Sequence, residues 1–162
     1  MAWLLEHRPP SPRRPAICHG DFHPQNILVS AGAVTGVIDW PNTVVADPAY
    51  DVAATRTILS LTPVELSAVP AALRWLIRLV RPIMVRRYLA GYRRHHALDT
   101  GALAYYEALC CMRGLVRAAE SRLRRGPVLP NPLDASSFAE ALAGRFARIT
   151  GISPALPAQP RQ

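Results

Sequence analysis

The stretch "ICHGDFHPQNILV", residues 17–29, sets two histidines, an aspartate and an asparagine between two short apolar runs. Metal ligation, proton transfer and phosphate chemistry all use such side chains, so the surrounding sequence has to choose among them. The flanks read as β-structure. "AICH" (16–19) and "NILVS" (26–30) are short runs that suit strands, and "AVTGVIDW" (33–40) suits a third. Ala31-Gly32 is placed to make the tight turn of a hairpin between the last two. A strand, a polar loop, a hairpin and then "IDW" bring Asp21, Asn26 and Asp39 near one another.

Two carboxylates and an amide oxygen are hard ligands that suit magnesium and serve zinc poorly. Phosphoryl transfer needs such a set. One carboxylate accepts or orients the proton of the attacking hydroxyl, while an amide and a second carboxylate hold the metal that bridges the phosphates. Two other readings stay open on the residues alone. Asp21, Asn26 and Asp39 are also ordinary solvated turn residues. His19, Asp21 and His23 alternate, so in an extended segment they share a face and suit zinc or iron. Pro24 and the shortage of further ligands weigh against that site, since His95 and His96 fall on a distant helix.

Beyond the hairpin the chain reads as helix. "ADPAYDVAATRTIL" opens with Asp47 as N-cap and Pro48 at the first helical position, where its missing N–H costs nothing. "TPVEL" carries a capping box, Thr62 facing Glu65. Apolar periodicity predicts long helices over Ala71–Ala97, with Pro82 a kink or break, and over Gly101–Arg124. "LDASSFAEALAGRFARI" predicts a last helix capped by Asp134 or Ser136. The proline-rich end, 153–162, is expected to fray.

Composition bounds what this chain does. At 162 residues it fits one domain with a real core. Its apolar runs are too short to cross a bilayer and no signal peptide is visible. Three cysteines without a CxxC pattern suit a reducing cytoplasm, the expected location. The formal net charge is +8, and all 19 basic residues are arginine. Ala71–Arg125 holds twelve arginines against Asp99, Glu107 and Glu120, a local balance of +9, whereas residues 1–60 balance at −1. A nucleic-acid or phosphate surface and a plain solvated helical face both fit that asymmetry.

"HGDFHPQN" (19–26) fits the H-R-D-L-x-x-x-N catalytic-loop pattern, with Gly20 for Arg and Phe22 for Leu. It is still more similar to the aminoglycoside phosphotransferase and choline kinase relatives of protein kinases, whose loop reads H-G-D-x-H-x-x-N. "VIDW" resembles that family's metal-binding motif, and "ADPAYDVA" its DPxxDLA stretch. The resemblance runs firmly from Ile17 to Ala54. It implies an α+β, mostly helical fold: the C-terminal lobe of a protein-kinase-like fold, with a short β-hairpin carrying the catalytic loop. It also implies Asp21 as catalytic base, with His23 beside the metal and substrate, and Asn26 and Asp39 as magnesium ligands. His19 and Asp51 would brace the loop. His19 alternatively is a satisfied buried histidine, and Asp51 a favourable charge near a helix N-terminus.

The implied activity is transfer of the ATP γ-phosphate to a hydroxyl on a small molecule, with Mg2+ as cofactor. Only 18 residues precede His19, none a glycine, and the chain contains no lysine. The domain expectation is therefore a single C-lobe over 1–152, divided at residue 60 into a catalytic part and a helical substrate-side bundle. The nucleotide lobe is expected to be absent or supplied by a separate chain. The rival is a non-catalytic remnant whose arginine-rich helices bind an acidic partner or nucleic acid. Neither nucleic acid nor membrane is the favoured partner.

Overall fold

Residues 2–12, 14–61, 70–123 and 136–154 are described by a computed structural model. A short helix α1 (Ala2–Glu6) leads into β1 (Ala16–Cys18), and the polar loop follows. A 3-10 turn (Pro24–Asn26) delivers the chain to β2 (Ile27–Ser30), which pairs antiparallel with β3 (Ala33–Val37). The connecting Ala31 and Gly32 have φ of 48° and 79°. Two consecutive positive φ values define the turn that matches strand twist, so the expected hairpin forms where the sequence places it. A register shift between Leu28 and Val29 bulges β3 at Thr35, because Leu28 faces Gly36 and Val29 faces Val34.

Two strand expectations need correction. The run expected to continue through Trp40 ends as a strand at Val37, because Asp39 takes φ 66° and leaves the extended region. A fourth strand, β4 (Val44–Ala46), was not expected. It pairs with β1 in the register Ala16↔Ala46 and Cys18↔Val44, closing the loop back on the strand that opens it.

Helix α2 (Pro48–Leu61) starts as expected, with the Ala49 N–H donating to Asp47 Oδ1 at 2.8 Å. Helix α3 (Ala71–His95) runs unbroken through Pro82, so of the kink or break expected there the break does not occur. Helix α4 (Thr100–Leu123) is capped by Asp99, whose Oδ1 accepts from Gly101 at 2.8 Å and Ala102 at 3.1 Å. Helix α5 spans Ser136–Thr150, so Ser136 is its first helical residue rather than its cap. The capping box at Thr62 and Glu65, the alternative cap Asp134 and the tail from 155 lie outside the described residues.

Helix α4 is the hub of the core. Its Ala108, Cys111 and Leu115 pack with Leu4 of α1 and with Ala139, Leu142 and Phe146 of α5. Its Leu103 meets Val52 and Ala53 of α2, flanked by Tyr88, Leu89 and Tyr92 of α3. Glu107, 2% exposed, faces Arg145 at 2.7 Å and Arg56 at 3.4 Å, tying α4 to α5 and α2. A buried carboxylate needs partners of this kind to remain charged. The chain is thus α+β and mostly helical, with its small sheets gathered around the polar loop.

Candidate active site

Gly20 adopts φ 75°, a left-handed conformation open to glycine and strained for most other residues. Space demands glycine too: an added Cβ would lie 2.7 Å from the Asn42 carbonyl oxygen and 3.4 Å from the Tyr50 hydroxyl. The Gly20 N–H donates to Asp51 Oδ1 at 2.7 Å, a short charge-assisted bond from the loop to the first turn of α2. Asp51 therefore holds the loop and at the same time places negative charge near the helix N-terminus.

Asp21 is pinned through its main chain. Its N–H donates to His19 Nδ1 at 3.2 Å, and its carbonyl accepts from Asn26 Nδ2 at 2.9 Å. The carboxylate itself stays reachable, with its side chain 30% exposed. A carboxylate on a fixed backbone and open to solvent is aimed without being consumed by internal bonds.

His19 is buried and uses both ring nitrogens. Accepting at Nδ1 puts its proton on Nε2, which donates to the Ile38 carbonyl at 2.9 Å. The indole of Trp40 covers the ring at a centroid distance of 4.6 Å, and the indole N–H donates to the Val37 carbonyl. With both nitrogens bonded, His19 has no lone pair for a metal, which removes the alternating His19, Asp21, His23 zinc or iron site. Among the described residues no three His, Cys, Asp or Glu side chains gather as a metal site.

The second half of the loop is joined to the same framework. His23 accepts from the Gln25 N–H at Nδ1 (3.3 Å), capping the 3-10 turn that presents Asn26. Its Nε2 then carries the proton and lies 3.7 Å from Asp21 Oδ1 and 3.3 Å from Asn26 Nδ2. The Asn26 carbonyl accepts from the Ile38 N–H at 3.0 Å. Ile38 is thus bonded to His19 on one side and to Asn26 on the other, and the next residue is Asp39. These bonds tie Asp21, Asn26, His19 and Asp51 together, with His23 held beside them by the Gln25 N–H and Asp39 following directly after Ile38.

The donor set can be judged on this geometry. The Asn26 amide nitrogen is committed to the Asp21 carbonyl, which leaves Oδ1 as the atom of that side chain able to act as a ligand. An amide oxygen and two carboxylates match magnesium, which binds through one or two carboxylates and leaves positions for water and phosphate oxygens.

Sequence reading missed the support behind Gly20. Arg113 of α4 donates to the Tyr50 hydroxyl and lies over the Tyr50 ring, its guanidinium carbon 5.8 Å from the centroid. Arg117 Nη2 donates to Asn42 Oδ1 at 3.3 Å. No local pattern announces these contacts, because the partners stand 63 and 75 residues apart. On the other flank, Phe22 faces Tyr88 of α3 at 6.4 Å. Burial pushes the Tyr88 hydroxyl up to about 12, with the negative charge of Asp51 adding to the rise.

A polar loop braced by α2 and a β-hairpin thus presents a solvent-reachable aspartate beside an asparagine amide. The model of the phosphotransferase enzyme family (APH) matches residues 1–98, more than half of the chain. The protein belongs to that family, the aminoglycoside phosphotransferase family that its loop motifs resemble. A curated relative, the uncharacterized protein YcbJ of Bacillus subtilis (strain 168), is 48% identical over 44 residues. That match takes in 26% of this chain and only 14% of the relative's length. No solved structure matches the chain.

Proposed function

We propose that this protein carries the catalytic residues for transferring the γ-phosphate of ATP to a hydroxyl on a small molecule. The observation that carries the reading is the pinning of Asp21: main chain fixed at both its N–H and its carbonyl, carboxylate half-buried but reachable. A base aimed in this way takes the proton of an incoming hydroxyl as the oxygen attacks phosphorus. Preorganisation matters here because positioning supplies most of the catalysis in phosphoryl transfer.

Asn26 and Asp39 would hold magnesium, which supplies charge neutralisation on the phosphate oxygens. His23 keeps the turn beneath Asn26 closed, and its Nε2 stands 3.7 Å from the Asp21 carboxylate. His19 and Asp51 fix the loop's two shoulders. These 162 residues contain no lysine, so further neutralisation of the phosphates falls to arginine or to a lysine outside them.

The test is ADP formation from ATP with magnesium and a panel of small hydroxyl compounds, wild type against Asp21→Asn. The substitution keeps the main-chain bonds and removes the base, so turnover should fall by about 10²–10⁴-fold. Magnesium-dependent turnover that survives Asp21→Asn at the wild-type rate would take Asp21 out of the mechanism.

A further inference from the structure

A groove of about 690 Å³ runs between α1 and α4. Tyr106, Leu109 and Met112 give it an apolar floor, and the guanidinium groups of Arg8, Arg113 and Arg117 stand along it. Among the described residues two of these arginines donate to neutral acceptors, Arg113 to the Tyr50 hydroxyl and Arg117 to the Asn42 amide oxygen. Among the described residues none of the three has a carboxylate within 4.0 Å, although Glu120 also lines the groove. Burial raises the Tyr106 hydroxyl's pKa, with the Asp47 charge adding to the rise and the Arg8 charge opposing it.

Three cations against one anion over an apolar floor is an unbalanced arrangement. Guanidinium groups are weakly hydrated, fork-shaped donors that match the oxygens of a carboxylate or phosphate. The floor takes up apolar surface, and the volume is that of a site for one small ligand. A cation of the same shape would gain the apolar contact and lose on charge.

We propose that this groove binds a small organic anion, a carboxylate or phosphate group carried on an apolar or aromatic body. The site is separate from the Asp21 loop and does not depend on the catalytic assignment. It touches the loop's support, because Tyr50 and Asn42 are the two residues that stand against Gly20.

The test uses three matched fluorescent probes with the full 162-residue chain: 2-naphthoate, 2-naphthyl phosphate and (2-naphthylmethyl)ammonium. Anisotropy titrations should show one anion binding with unit stoichiometry, and at least about tenfold more tightly than the ammonium probe. The tighter of the two anions identifies the oxyanion. Arg8→Gln with Arg117→Gln should weaken it by about tenfold, since both side chains are exposed and neither holds the core. Arg86→Gln with Arg87→Gln, an equal charge loss on exposed positions of α3, should leave it unchanged. Equal affinity for anion and cation overturns the proposal. So does an affinity that follows the α3 pair, which would mean binding on that helix or attraction by overall charge.

Discussion

Gly20 is where the loop has least freedom, and two separate costs meet there. A side chain would be strained at φ 75°, and its Cβ would press on a backbone oxygen that cannot swing aside. Gly32, at φ 79°, bears only the first cost, since nothing lies within 4 Å of its Cβ position. Gly32→Ala should therefore lower stability by about 1 kcal/mol in urea unfolding, and Gly20→Ala by about 2–4 kcal/mol. Equal losses would show that the crowding at Asn42 carries no weight. The proposed metal ligands separate in a similar way. Asp39 brings a full charge to a cation and Asn26 only an amide dipole, so both alanine variants should need more magnesium for half-maximal activity, Asp39→Ala the more. Titration curves that coincide with the wild type for both variants would locate the metal elsewhere.

At the scale of elements, helices α3 and α4 carry acids whose ionisation opposes folding. Burial pushes Cys110 and Cys111 of α4 up to about 12, and Tyr88 of α3 likewise. Because the folded state keeps these groups neutral, it has its full stability below their ordinary values, about 8.5 for a thiol and 10 for a phenol. Stability should then fall as pH rises from about 9 towards 12, where the unfolded chain ionises and the folded one resists. Urea midpoints measured at pH 7.5, 9 and 10.5 (roughly from below the thiol value to just above the phenol value) check this. The slope should shrink in Cys110→Ala with Cys111→Ala, and a flat profile in the wild type would contradict the burial. What the sequence reveals of these elements is local. Asp47 before Pro48, and Ala31-Gly32 between two apolar runs, are short-range signals that the structure realises directly. Strand β4 had no such signal: "VVA" is three residues long and becomes a strand by pairing with β1, 28 positions away for the Ile17–Val45 pair. Pro82 reads locally as a helix break, yet Ile77 and Val85, a turn or so to either side, are partly sheltered by the rest of the fold. Packing along the sheltered side outweighs the one lost hydrogen bond. The loop motif shows which residues assemble, while Tyr50, Asn42 and Arg113 behind it follow only from the way α4 crosses α2.

For the molecule as a whole, the core is well filled around α4 while two outer surfaces are not. The described strands form two-stranded sheets, each with open edges, and their side chains include Val29 at 62%, Val34 at 67% and Val45 at 73% exposure. A lone two-stranded ribbon with an apolar face is marginal in water and invites a further strand or surface. Helix α3 adds a second surface. Leu76, Leu79, Val80 and Ile83 recur at helical spacing on the side away from the core, beside Trp75 at 64% exposure. Contiguous apolar surface of this kind drives association, and the +8 net charge opposes it only over the screening length of the buffer. The 162-residue chain should therefore sediment above its 17.7 kDa monomer mass at micromolar concentrations, and more so in high salt as the arginines are screened. Polar replacements identify the surface responsible. If the ribbon dominates, Val29→Thr with Val34→Thr should return the chain towards monomer, and if α3 dominates, Leu79→Gln with Ile83→Gln should do so. A monodisperse monomer at every salt concentration would show that these faces are inert in isolation.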